Sequence, residues 1–212
     1  GLYGMAATMT ALREVETKGG KGQVIDLSLL EAMHSVVGAD AAGYRALGYK
    51  PSRLGSRSNT TSPRNVFRTR DGRWISVSGS MQSMAERLYV MIGRADMNAD
   101  PRFSTNSARL AHTEEAERPI REFIAARDFS ECLALFEQAE VTAAPVYDID
   151  QFVDDPHVQE RQVVVDVPDD EVGSVTMHNI LPRLSETPGV LRTAAPALGQ
   201  HTAEILSKIG IA

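Results

Sequence analysis

The strongest constraint on this chain is an interruption. Residues 48–65 read Gly-Tyr-Lys-Pro-Ser-Arg-Leu-Gly-Ser-Arg-Ser-Asn-Thr-Thr-Ser-Pro-Arg-Asn, 18 residues with neither a helical nor a strand period. Most connections in compact domains run about four to six residues, and longer ordered loops serve more often as lids or binding loops. No single periodic element runs through this stretch, so it reads as a polar loop between a helix–strand–helix unit and the segments that follow.

Before the loop, Leu2, Met5, Met9 and Leu12 fall at helical spacing and predict a helix to about Lys18, stopped by Gly19-Gly20. No Ser, Thr, Asp or Asn precedes that helix to cap it, and the chain opens on Gly1 without an initiator Met. The expectation is that the chain begins inside a larger protein. Gln23–Asp26 reads as a short strand. Ser28 and Glu31 then have the spacing of a capping box, opening a second helix on Leu30, Met33 and Val37 that fades through Gly38 and Gly43.

After the loop, Val66–Thr69 and Trp74–Ser78 are predicted strands joined by the hairpin signal Arg70-Asp71-Gly72. Met81, Met84, Ala85, Leu88, Met91 and Ile92 make one face of a helix ending at Gly93. Ile120, Phe123 and Ile124 mark another, and Pro119 is placed in its first turn, because an interior proline costs ~3 kcal/mol. A third helix opens at Ser130 with the stripe Cys132, Leu135, Phe136 and Ala139. Two short helices, at Ile149–Val153 and after Pro156, precede strands Val163–Val167 and Val172–Met177, and a last helix follows His201. The fold class expected is α/β in the α+β sense.

Composition limits the function classes. The chain is 42% hydrophobic and 24% charged, the average of a folded globular protein. A net charge of −6 argues against a footprint needing many phosphate contacts, so no nucleic-acid partner is expected. No run approaches the ~18 apolar residues of a membrane span, so no membrane partner is expected either. The single Cys132 cannot form an internal disulfide and suggests a reducing, cytoplasmic setting.

The candidate chemistry is sparse. His34, His112, His157, His178 and His201 lack the close spacing of a helical metal site, and no metal ligands are assigned. Gly19-Gly20-Lys21-Gly22 follows a helix and precedes a strand, the reverse of a phosphate-binding order, so it reads as a tight turn. There is no Gly-x-Ser-x-Gly elbow, and Cys132 lies on an apolar stripe as a packed thiol. Asp26 reads as a turn or capping acid, and the Asp154-Asp155 and Asp169-Asp170 pairs as solvated turns. The long loop is the one functional candidate: Arg53, Arg57 and Arg64 stand among hydroxyl and amide side chains suited to carboxylate or phosphate groups. A plain solvated loop is the alternative reading.

Several segments in order carry a resemblance. These are Lys18 to Ala32 (KGGKGQVIDLSLLEA), Pro63 to Gly72, Asp100-Pro101-Arg102-Phe103 with Asn106 and Arg109, Pro145-Val146-Tyr147-Asp148 through Asp155-Pro156 to Arg161, Leu184 to Gly189, and Leu198 to Thr202. Together they resemble the C-terminal half of the family III CoA-transferases (the CaiB/BaiF family), which include formyl-CoA transferase, carnitine CoA-transferase and α-methylacyl-CoA racemase. The resemblance implies an interlocked homodimer whose subunits have a Rossmann-like large domain and a small α+β domain. On it, residues 1–45 end the large-domain core with a linker helix, 46–64 form a loop, 65–140 the small domain, and 141–212 return to the large domain.

The resemblance also implies an activity: CoA moves between an acyl-CoA and a carboxylic acid through an aspartyl intermediate, with CoA as substrate and no cofactor. The family's nucleophilic aspartate would precede Gly1, so no catalytic residue is assigned here, and the isolated chain is expected to be inactive. Arg57, Ser58, Asn59 and Thr60 are the expected substrate-binding residues, at the place where formyl-CoA transferase carries a glycine-rich lid. The alternatives are a racemase-like isomerase and a truncated, non-catalytic assembly fragment. Racemases carry a glutamate near Met81, and a methionine can neither orient nor exchange a proton.

Overall fold

A computed structural model describes residues 1–211 and divides the chain into two units, Gly1–Gly55 and the residues from Ser56 on. The first unit is helical. α1 (Leu2–Lys18) ends on Gly19 in the left-handed conformation (φ 65°), the stop expected of that glycine. α2 (Leu29–Val37) begins with the capping box: Ser28 Oγ accepts from Glu31 N at 3.1 Å, and Glu31 Oε2 accepts from Ser28 N at 3.3 Å. Neither helix has a buried residue, and Leu2, Leu29 and Leu30 are each about 80–87% exposed.

Two expectations for this unit need correction. Gln23–Asp26 is not a strand, and Val24 is 95% exposed. A strand needs a ladder partner for its backbone groups, and none of the described residues of this unit forms one. The second helix does not fade through Gly43 either. It stops at Gly38, and a separate α3 (Asp40–Leu47) carries Gly43 in its interior.

The second unit is built on an antiparallel sheet of three strands, β1 (Arg64–Arg68), β2 (Trp74–Ser78) and β3 (Ala143–Val146), in that order. Phe67 faces Ile75 and Asn65 faces Val77 across β1–β2, while Ile75 faces Pro145 across β2–β3. Period-two alternation turns Asn65, Phe67, Ile75 and Val77 to the buried face. No strand is expected from the sequence at β3. Its Pro145 lowers strand propensity but is tolerated on an edge strand.

α4 (Gln82–Met91), α6 (Thr113–Ala125) and α7 (Phe129–Gln138) supply the rest of the core: Leu88, Tyr89, Ile120, Ile124, Cys132 and Phe136 pack with Phe67, Ile75 and Val77. A 3-10 turn (Ala95–Asn98) and α5 (Asn106–Ala111) lie between α4 and α6. Pro119 is not at the start of its helix but at the seventh position of α6. The buried stripe begins one turn earlier, at Ala116, and continues through Ile120 and Ile124, so burial of that face outweighs the proline's missing hydrogen bond.

Beyond β3, α8 (Ile149–Asp154) and α9 (Pro156–Glu160) are the two expected short helices. β4 (Val164–Asp169) and β5 (Gly173–His178) form a hairpin whose acidic turn is held by Asp169 Oδ1, which accepts from Glu171 N and Val172 N at 2.9 and 3.0 Å. α10 (Thr202–Lys208) is the last helix. Among the described residues no helix is long and apolar enough to cross a membrane.

Candidate functional site

The stretch from Ser56 to Asn65 is tied to α5 and α6 by side chains that approach it from beneath. At its tip Ser58 Oγ accepts from Thr60 N at 3.1 Å and Thr61 N at 3.3 Å, and shares a hydrogen bond with Thr60 Oγ1 at 2.9 Å. A hydroxyl that takes two following amides makes a local turn from a run with no period. On the far side of the turn the Asn106 amide acts as a strand partner would: its Nδ2 donates to Thr60 O at 2.9 Å and its Oδ1 accepts from Ser62 N at 3.1 Å. Ser62 O accepts from Arg109 Nε at 2.6 Å.

Asn106 and Arg109 meet the same segment because residues three apart share a helix face, and α5 is fixed by Thr105, whose Oγ1 accepts from Ala108 N at 3.2 Å. The guanidinium of Arg109, fully buried, also donates through Nη1 to Gln82 Oε1 at 3.0 Å and Phe103 O at 2.8 Å. It thereby joins the loop, the start of α4 and the Asp100–Phe103 turn. That turn is itself closed by Arg102, which pairs with Asp100 at 2.7 Å and Glu115 at 2.8 Å and lies over the Phe103 ring.

Glu117 of α6 is the second buried charge. Its Oε2 accepts from Arg57 Nε at 2.9 Å and Asn65 Nδ2 at 2.8 Å. Asn65 needs that acceptor because it occupies a core-facing strand position, and its Oδ1 accepts from Ser56 Oγ at 2.5 Å. Arg57 also pairs with Glu114, which Arg121 binds at 2.8 Å. Arg121, and then Arg57, hold the Glu114 carboxyl down at about 2. Burial pushes the Tyr89 hydroxyl between these helices up to about 12, opposed by the nearby Arg109 charge.

The four residues singled out from the sequence thus form one turn with different surroundings. Arg57 points its guanidinium inward onto Glu114 and Glu117, while Asn59 and Thr60 are exposed beside the half-buried Ser58. Arg57 is the sole ionisable side chain among the four, so the tip presents hydroxyl and amide groups, which can hydrogen-bond, and contains no general base. The residues missed from the sequence are Asn65 and Glu117. Asn106 and Arg109 stand out in the sequence only as part of the segment that begins at Asp100.

Elsewhere the packed thiol of Cys132 is buried, and its desolvation raises it to about 11. A groove of about 780 Å³ between α4 and α7 is lined mainly by Val90, Met91, Leu135 and Ala139 with Glu86 and Arg87. Among the described residues no three His, Cys, Asp or Glu side chains converge as metal ligands.

Comparison with known proteins gives the family of the chain. The family model described as CoA-transferase family III matches residues 1–202. The chain belongs to that family. It is 30% identical over 97% of its length to the succinyl-CoA–D-citramalate CoA-transferase of Chloroflexus aurantiacus, covering 52% of that protein. It is 32% identical over 99% of its length to the beta subunit of succinyl-CoA–L-malate CoA-transferase from the same organism, again covering 52%. Among solved structures, a CAIB/BAIF family protein from Brucella suis superimposes with a TM-score of 0.80 at 26% identity, over 99% of this chain and 53% of that one. The chain therefore spans about half the length of these family III relatives, and the mixed α/β architecture expected of the family is the one observed.

Proposed function

We propose that this chain is the C-terminal portion of an acyl-CoA transferase that moves CoA between carboxylic acids. The observation that carries the reading is similarity along nearly the whole chain to two relatives named as succinyl-CoA-dependent CoA-transferases. In this reading the nucleophile is an aspartate upstream of Gly1. Its carboxylate attacks the thioester carbonyl, a C–O bond forms as the C–S bond breaks, and the CoA thiolate leaves an aspartyl anhydride. The thiolate then attacks the aspartyl carbonyl of the anhydride, releasing the first acid and leaving an aspartyl-CoA thioester. The acceptor carboxylate and the same thiolate repeat the two displacements in reverse. Covalent catalysis divides one difficult exchange into easier steps. No cofactor is required, and CoA enters as substrate.

This chain's contribution is the loop and its support. Ser58, Asn59 and Thr60 are assigned to hydrogen bonding of a carboxyl or thioester oxygen, through Asn59 Nδ2 and the one hydroxyl proton the Ser58–Thr60 pair leaves free, with Arg57 as the tether that holds the turn. Residues 1–45 and 141–212 belong to the large domain, and 65–140 to the small one. The exposed apolar faces of α1 and α2 support a covered interface in the intact protein, within a homodimer. A reducing, cytoplasmic setting belongs to the same reading, supported by the buried, unpaired Cys132.

The test is direct. The intact protein is incubated with succinyl-CoA and either L-malate or D-citramalate, and acyl-CoA products are separated by chromatography. Transfer to at least one acid is expected, with none by residues 1–212 alone. Turnover by this polypeptide alone, abolished by changing one of its own acids, would overturn the reading. Interconversion of α-methylacyl-CoA epimers without transfer would replace it by the isomerase alternative.

A further inference from the structure

The polar hub beneath the loop is more costly than a connection needs. Arg109 and Glu117 are each 1% exposed, and each keeps one polar atom, Nη2 and Oε1, without a hydrogen-bond partner among the described residues. A buried charged group with an unpaired atom lowers stability, and apolar side chains often replace such charges without loss. Yet the bonds these residues do make converge on one ten-residue segment. Arg109 takes Ser62 O, Glu117 takes Arg57 and Asn65, and Asn106 takes the main chain on both sides of Thr61.

We propose that Asn106, Arg109 and Glu117 are positioning residues that hold the 56–65 loop so that Ser58, Asn59 and Thr60 meet the acid substrate's carboxyl group in one geometry. The inference rests on the CoA-transfer reading above. It assigns Arg57 a tethering part: with two carboxylates already on its guanidinium, the tip selects its ligand by neutral donors and shape instead of by a free positive charge. Placement of neutral donors demands a fixed backbone, because misorientation forfeits a hydrogen bond more readily than it weakens an ion pair. The hub supplies that fixity to both ends of the turn.

The test uses the intact protein with Asn106→Ala, Glu117→Ala and the conservative Glu117→Gln, which keeps an acceptor for Arg57 and Asn65. Amide hydrogen exchange is followed across residues 56–65, and KM for the acid acceptor, KM for succinyl-CoA and kcat are measured separately. Both alanine variants should speed exchange in the loop by about tenfold or more, the factor expected from losing two hydrogen bonds. They should raise the acceptor KM by a similar factor with the succinyl-CoA KM little changed, and Glu117→Gln should return both readouts toward wild type.

Unchanged exchange in Asn106→Ala would overturn the anchoring. Faster exchange with an unaltered acceptor KM would overturn the positioning role and leave a merely structural hub. Should Glu117→Ala fail to fold, Asn106→Ala carries the same test from a half-buried position. An intact wild-type protein that transfers no CoA defeats the transferase reading and the substrate role assigned here. An active wild type with indifferent variants defeats this proposal alone.

Discussion

The uncovered face of α2 offers a measurable test of the covered interface proposed above. Leu30 is 79% exposed on a helix with no buried residue, whereas Ile120 in α6 is 0% exposed. Fully burying a leucine stabilises by roughly 1.5–3 kcal/mol, so covering the open four-fifths of Leu30 is worth about 1.2–2.4 kcal/mol. Truncating a leucine so covered forfeits most of that and leaves a void, which brings Leu30→Ala to a loss of about 2–4 kcal/mol in the intact protein. Left in water, the same change falls within about 0.5 kcal/mol.

Ile120→Ala serves as the internal standard. It deletes the equivalent of about three methylene groups from a closed core and should cost about 2–5 kcal/mol whatever covers α2. The assay is urea unfolding of wild type and both variants at one fixed protein concentration, since association shifts the apparent midpoint. A loss below about 0.5 kcal/mol for Leu30→Ala alongside a full loss for Ile120→Ala would refute the covered interface.

Three further outcomes follow from single groups. Cys132, with its thiol raised to about 11 by burial, should resist iodoacetamide at pH 8 in the folded protein and react only on unfolding; rapid native labelling would contradict the packing described. Glu114 has a folded pKa of about 2 against an ordinary 4.5, so its pairing with Arg121 and Arg57 stabilises fully above pH 4.5 and is lost as pH falls toward 2. Its side chain is 62% exposed, so screening holds the effect below about 1 kcal/mol, and wild-type and Glu114→Gln stability curves should converge through that window instead of running parallel. Glu140, just past α7, sits at φ 52°, where glycine is unstrained, so Glu140→Gly should raise the unfolding free energy by up to about 1 kcal/mol. A drop in melting temperature would refute that account.

What could be read in advance was what is decided locally. The Ser28–Glu31 box and the Arg70-Asp71-Gly72 hairpin are complete within a few residues, and both stand as expected. Gln23–Asp26 failed because a strand is defined by a neighbour elsewhere, and β3 was overlooked for the complementary reason: Ala143–Val146 becomes a strand only against β2. Pro119 points to a later helix start because its penalty is local, whereas the burial of Ala116 that begins the helix earlier is tertiary.

The site divides in the same way. The loop announced itself by length and polarity, and Arg57 by its charge. Its partner Glu117 lies 60 residues on, within a helix rich in acids, and its one legible signal is its phase, three and seven residues before Ile120 and Ile124 on the buried face. Asn65 did carry a legible signal, a polar side chain in phase with Phe67 on the inward side of a strand.

The Arg109 guanidinium, by joining Ser62, Gln82 and Phe103, makes a modular unit that is not contiguous in sequence. Protein engineers exchanging loops between relatives would ordinarily cut at 55 and 66 and graft the insert alone. Here such a chimera separates a key from its lock, because the transplanted main chain arrives over a foreign α5 and α6. Under the positioning role proposed above, grafts that carry residues 100–117 along with the loop should retain the donor's acid preference, and grafts of the loop by itself should lose the donor's preference without acquiring the host's.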